Sequence, residues 1–171
     1  HPSSRPASRR PPPTWVWTRH LATPAYQITG DSLAVPGYGV NDAPGAPALP
    51  VWSEVVELPG DGDWEIAVDA ANGRILDTTV HVAAVPVPEL PAPRSGGWIG
   101  AGDGPTSVLT VDRPDPAIYG ADAFYPASLA AAGPVQVQRG RRLLPLRVFP
   151  FQYNPVRGAL RYHPELTITI R

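Results

Sequence analysis

The sequence predicts an all-β fold: an antiparallel, jelly-roll-like β-sandwich of about ten short strands. Three observations carry that reading. Trp64, Ile66 and Val68 alternate with Glu65, Ala67 and Asp69, and Leu166, Ile168 and Ile170 alternate with Thr167 and Thr169. That period of two is what a half-buried strand requires. Turn-forming residues recur at short intervals, with 24 Pro and 16 Gly in 171 residues. Only residues 128–132 read as helical, and Gly133-Pro134 limits them to one turn. The length is about one domain's worth and enough to bury a core.

Residues 1–13 mix Pro, Ser and Arg without an apolar pattern, so a disordered arm is expected ahead of a domain over 14–171. Thr14-Trp15-Val16-Trp17-Thr18 has strand composition, and residues 25–29 make a second strand before the Gly30-Asp31 turn. Four Pro and three Gly between 36 and 50 mark an ordered loop or extended connection. Residues 51–58 read as a strand closed by Pro59-Gly60-Asp61-Gly62. The strand over 64–69 is expected to turn at Asn72-Gly73, a pair suited to the positive φ of a tight hairpin, into residues 74–77. β composition continues from 78 to 85.

Residues 86–107 form a long connection, rich first in Pro and then in Gly. Such stretches in compact domains are often functional or mobile. A short strand at 108–111, a turn at 112–116 and strands at 135–138 and 142–153 follow. Asn154-Pro155-Val156-Arg157-Gly158 then reverses the chain, with Pro presetting φ and Gly free to take positive φ. The return through Leu160-Arg161-Tyr162 makes residues 150–162 read as one hairpin, with an apolar run from Leu143 leading in. Residues 166–170 need a partner sheet to cover Leu166, Ile168 and Ile170.

All 14 basic residues are Arg, a bias that fits GC-rich coding. The net charge of −1 hides an asymmetry: residues 31–122 hold 14 acids against three Arg, and residues 123–171 hold seven Arg against Glu165 alone. The basic end either meets an acidic partner or nucleic acid, or faces the acidic middle of its own fold; the second reading is preferred. The chain begins at His1 and lacks Met, so it is expected to be a processed or trimmed piece of a longer protein. No apolar run approaches the roughly 18 residues of a membrane helix, so no membrane span is expected.

The usual chemical constellations are not found. Without Cys there are no disulfides, thiol nucleophiles or Cys-held metals in the chain. His20, His81 and His163 lack the close spacing of metal ligands, and His81 is expected to face solvent. Asp61-Gly62-Asp63 and Asp103-Gly104 resemble parts of calcium loops but have no downstream acidic ligand, so they read as turns. The glycine-rich stretch 97–104 precedes no helix that would offer its N-terminus to a phosphate. No Gly-x-Ser-x-Gly elbow is present. The chain is therefore expected to be noncatalytic, with no cofactor and no metal. Aromatic side chains do not interleave with Arg in an RNA-binding pattern, so no nucleic acid is expected either. Trp15, Trp17, Trp52, Trp64 and Trp98 either stack sugars or pack a core, and core packing is preferred.

One set of short motifs resembles a known family. Gly45-Ala46-Pro47-Ala48-Leu49-Pro50, Tyr119-Gly120, Tyr125-Pro126, Arg139-Gly140, Pro150-Phe151-Gln152-Tyr153-Asn154-Pro155 and Leu160-Arg161-Tyr162 occur in one order over residues 45–171. Together they are similar to the N-terminal propeptide of gingipain-type, caspase-like cysteine peptidases. The resemblance implies a β-sandwich prodomain of an exported bacterial protein, secreted or at the cell surface. Its partner would be the cognate peptidase domain of the same precursor, whose catalytic residues would follow Arg171. It implies a domain that keeps the peptidase latent and assists its folding. In the gingipains a basic residue on a prodomain loop enters the specificity pocket; the corresponding connection here is 86–118. Arg113 is the first candidate for such an inhibitory plug and Arg94 the second. The rival reading is a carbohydrate- or protein-binding β-sandwich module of a larger exported protein.

Overall fold

The alternation becomes fifteen short strands and one helical turn in a computed structural model, which describes residues 15–22, 25–71, 73–76, 79–89 and 109–171. The first five strands are β1 (Trp17–Ala22), β2 (Gln27–Thr29), β3 (Ser32–Ala34), β4 (Gly39–Val40) and β5 (Pro50–Leu58). β6 (Ile66–Ala70), β7 (Arg74–Ile75), β8 (Val87–Glu89) and β9 (Leu109–Val111) lead to α1 (Pro116–Tyr119). β10 (Ala130–Ala132), β11 (Gln136–Gln138), β12 (Arg141–Val148), β13 (Phe151–Asn154), β14 (Ala159–Tyr162) and β15 (Glu165–Ile170) complete the chain.

Two layers of antiparallel strands close on a first core. One layer runs β1-β15-β6 and the other β10-β12-β5-β4, with β11 added to β12. Leu166, Ile168 and Ile170 of β15 meet Val56 and Leu58 of β5 and Leu144, Leu146 and Val148 of β12. The side chains predicted to need cover thus find it in the alternate residues of β5 and β12, as sheet-on-sheet packing requires. A second core gathers Leu33, Val35, Leu49, Val80, Val82, Phe151, Tyr153 and Leu160 around the sheet β13-β14-β7. Tyr162 stacks on Phe151 at 4.9 Å between ring centroids, and Tyr26 meets Phe151 edge-on at 5.3 Å.

Several expectations are corrected. The expected all-β fold of antiparallel sheets is present, but the described residues form fifteen strands against about ten expected, because the loops fold back as two- and three-residue strands. The hairpin expected over 150–162 forms as β13 against β14, but the apolar run leading into it from Leu143 is divided, because β12 pairs with β5 instead. The chain changes sheet at Phe149-Pro150, and again at His163-Pro164 between β14 and β15. Proline cannot donate to a ladder, so such corners suit it. The corners are tied together by the His163 amide donating to the Pro150 carbonyl at 2.8 Å. The hairpin expected across Asn72-Gly73 does not form, because β6 pairs with β15 and β7 with β14; Asn72 itself lies outside the described residues.

Residues 130–132, expected to be helical, form β10 against Val148, Arg147 and Leu146 of β12. A helical turn lies instead at 116–119, at the end of the turn expected over 112–116; the Asp115 side chain caps it and Pro116 sits in its first turn. The first strand begins at Trp17 and runs to Ala22, beyond the expected Thr18. Residues 79–85 form no ladder strand, but Val80 and Val82 are buried and Ala84 bridges Pro47. The arm over 1–13 lies outside the described residues.

The charge asymmetry is met within the fold. Arg141 pairs with Glu57, Arg147 with Asp42 and Arg157 with Asp122, each joining the basic end to the acidic middle. Trp15, Trp17, Trp52 and Trp64 are half-buried against the first core, which removes four of the five Trp from a sugar platform; Trp98 lies outside the described residues.

Candidate functional site

The 86–118 connection is held at its foot by a short ladder. Val87 opposes Val111, Pro88 opposes Thr110 and Glu89 opposes Leu109, so the chain between these strands must leave and return at one place. The entering leg is fixed below the ladder by paired amides. Val85 donates to Ala46 at 2.7 Å, and Gly45 donates to Val85 at 2.8 Å. The returning leg is fixed to the same segment, because Asp115 donates to the Gly45 carbonyl at 2.9 Å.

Gly45 makes this double grip sterically feasible. Its φ of +77° belongs to the region that favours glycine, and a Cβ there would lie 3.0 Å from the Arg113 carbonyl oxygen and 3.1 Å from the Asp115 nitrogen. Asp115 then caps α1, its Oδ1 accepting the Ala117 amide at 2.8 Å. Tyr119, at the end of α1, donates its hydroxyl to the Val82 carbonyl at 2.9 Å. Burial above all, helped by Tyr153 and Asp112, pushes its phenol up to about 12. The foot of the connection is therefore a rigid platform on the second core.

Arg113 stands on this foot. Its side chain is exposed and lies 3.6 Å from the Glu89 carboxylate across the ladder, a contact too solvated to hold it firmly. Arg94 lies outside the described residues, in the chain between β8 and β9. The two candidates thus belong to different parts of the connection, and Arg113 is the one the structure places.

The family-like motifs serve the scaffold. Arg139 and Gly140, with φ of +51° and +77°, form the two-residue turn between β11 and β12. Tyr125 and Tyr153 exchange amide-to-carbonyl bonds of 2.8 Å, and the Gln152 side-chain amide donates to the Pro126 carbonyl at 2.7 Å. Asn154 donates to Asp122 at 2.8 Å, while Arg157 clamps both Asp122 oxygens at 2.6 and 2.8 Å. The Arg157 guanidinium, with Asn154 second, lowers the Asp122 carboxyl to about 2. Sequence reasoning missed Asp122, whose partners lie more than thirty residues away in Asn154 and Arg157. No group of three or more His, Cys, Asp or Glu that would hold a metal occurs among the described residues. Likewise, no helix there is long and apolar enough to cross a membrane.

The described residues thus form an antiparallel β-sandwich that grips one long connection by both legs. The family comparison shows which family such a domain belongs to. The Propeptide_C25 family model matches residues 32–171, and the chain belongs to that family. Its match reaches further toward the N-terminus than the motifs quoted from residue 45 onward. Two solved structures share the fold. The complex of the pro- and mature domains of RgpB from Porphyromonas gingivalis aligns with a TM-score of 0.61 and 20% identity, covering 91% of this chain and 78% of that one. A structure concerned with the zymogenic latency of gingipain K from the same organism aligns at 0.58 and 18% identity, covering 91% and 81%. No match was found among curated proteins.

Proposed function

We propose that this domain is the latency-conferring propeptide of an exported, gingipain-like cysteine peptidase, that it assists the folding of that peptidase, and that a basic residue of the 86–118 connection blocks the specificity pocket. The observation that carries the reading is the match to the C25 propeptide family over 140 residues, from 32 to 171. The clamped foot supports it physically. A loop inhibits rather than serves as substrate when its pose is fixed before binding, and Gly45 fixes both legs at once. An Arg guanidinium suits a carboxylate-lined pocket through a bidentate contact. Arg113 lies next to the ladder, whereas Arg94 belongs to the chain beyond it, so the two make separable predictions.

The test adds the purified chain in trans to the peptidase domain of its precursor and measures the inhibition constant. Arg94→Ala and Arg113→Ala are compared with the unaltered chain. A loss of roughly a hundredfold or more in one variant identifies the plug, the scale of an interface hot spot. If both variants inhibit as the unaltered chain does, the plug is wrong and latency rests on other contacts. If the unaltered chain neither inhibits nor raises the yield of folded peptidase, the propeptide reading itself falls.

A further inference from the structure

Among the described residues, one edge of the larger layer is open. β4 pairs with β5 only through Gly39 opposite Val51 and Val40 opposite Pro50, although β5 runs on to Leu58. The direction of the remaining backbone groups follows from Pro145, which stands opposite Val55 in β12. Its nitrogen cannot donate, and its carbonyl accepts the Gly133 amide at 2.8 Å on the far side of β12. Val55 and Pro145 are therefore a non-hydrogen-bonded pair, and the amide and carbonyl of Val55 point away from β12. By the period of two, those of Ser53 and Glu57 point the same way.

This edge carries little of the usual protection. Residues 51–58 contain no Lys and no Pro. Val55 is 59% exposed. The charge of Glu57 is engaged by Arg141, and that of Glu54 by Arg19. A groove of about 430 Å³, lined by Gly39, Val40, Asp42, Val51, Ser53 and Val55 among others, runs beside it where β4 stops.

The open window extends from Trp52, just past the β4 contact, to Leu58, just before Pro59 ends the strand. Its midpoint is Val55. We propose that this edge pairs with the same edge of a second copy, joining two sandwiches antiparallel about a twofold axis through Val55. In that register Val55 opposes its twin and Ser53 opposes Glu57 on both sides of the axis. The outward-pointing groups all find partners, about six bonds in all, two for each hydrogen-bonded pair. No like charges are opposed: Ser53 meets Glu57, and apolar Val55 meets itself. The match is isologous, so it closes at two copies. One strand edge buries less area than an obligate interface, so the association is concentration-dependent.

Sedimentation of the 171-residue chain over a concentration series tests this. The expected result is a shift from 18.2 kDa toward twice that mass as concentration rises. Val55→Pro removes an amide that β12 does not use, so it should abolish the dimer while leaving thermal melting nearly unchanged; Val55→Thr should retain the dimer. A chain that stays monomeric at every concentration overturns the proposal, as does a dimer that survives in folded Val55→Pro. Should Val55→Pro fail to fold, amide exchange in the unaltered chain decides. Protection of Ser53, Val55 and Glu57 that rises with concentration supports pairing. Exchange independent of concentration overturns it. Protection that appears only when the peptidase domain is added also overturns it, assigning the edge to a strand of the peptidase.

Discussion

The Asp115 amide donates to the Gly45 carbonyl at 2.9 Å, while the Gly45 amide donates to the Val85 carbonyl at 2.8 Å. One residue thus holds both legs of a connection whose ends lie 30 positions apart in sequence, from Val85 to Asp115. The positive φ of Gly45 turns its amide and carbonyl toward different legs, and its missing side chain lets the returning leg press close. The grip lies below the β8–β9 ladder, so it fixes the direction in which the connection leaves the sandwich.

Gly45→Ala should weaken that grip. The new Cβ would meet the Arg113 oxygen and the Asp115 nitrogen at 3.0 and 3.1 Å, both backbone atoms, in a conformation that side chains rarely adopt. A cost of about 1–3 kcal/mol is expected. Thermal melting should fall by several degrees, and limited proteolysis should cut the 86–115 stretch sooner. Unchanged melting and unchanged cleavage would show that the legs are held by other contacts.

Leu144→Ala tests the first core. Leu144 is fully buried and belongs to the cluster shared by β5, β12 and β15. Truncation should cost about 2–5 kcal/mol, because neither layer can collapse into the gap without breaking its ladder. Denaturant midpoints measure this directly. A loss well under 1 kcal/mol would mean that the two layers pack less tightly than the structure shows.

What the sequence reveals follows the range of the forces involved. The alternation in β6 and β15 is local, so the strands and their buried faces were legible. The corners at Phe149-Pro150 and His163-Pro164 were not, because the apolar pattern runs through them while the hydrogen-bonding partner changes. Residues 130–132 are three Ala, which favour helix on propensity. The open backbone of β12 makes them a strand, a tertiary effect that no local window contains. At the site, Gly45 was legible as part of a motif, but its grip depends on Val85 and Asp115, 40 and 70 residues away. Arg113 was legible only as a basic residue on a long connection, and its place at the foot came from the ladder.

Asp122 should govern stability in strong acid. Its folded pKa is lowered to about 2 from an ordinary value of 3.8, chiefly by Arg157 and then by Asn154. A depressed carboxyl stabilises the fold above its unfolded value, and that contribution is lost as pH falls from there through its folded one. The unaltered chain should therefore lose stability between about pH 4 and pH 2 more steeply than Asp122→Asn, which has no charge to lose. Parallel acid-unfolding curves for the two chains would refute this role.

His163 should act in a separate window, nearer neutrality. It is buried at the corner where β14 hands over to β15, its Nε2 3.2 Å from the Gln152 side-chain oxygen and its amide bound to Pro150. Burial, with Arg161 adding to it against a backbone hydrogen bond to Ala71, pulls its pKa below 6.5. The unfolded chain then binds the extra proton first, so stability rises with pH in this window. The contribution is complete above about pH 6.5 and is lost on acidification toward the folded pKa. Urea midpoints of the unaltered chain should fall between about pH 7.5 and pH 5.5. His163→Gln keeps a hydrogen-bonding side chain but cannot titrate, so its midpoint should be lower at neutral pH and nearly flat across that interval. A flat response from the unaltered chain, or an equal slope in both, would rule out His163 as the group that titrates.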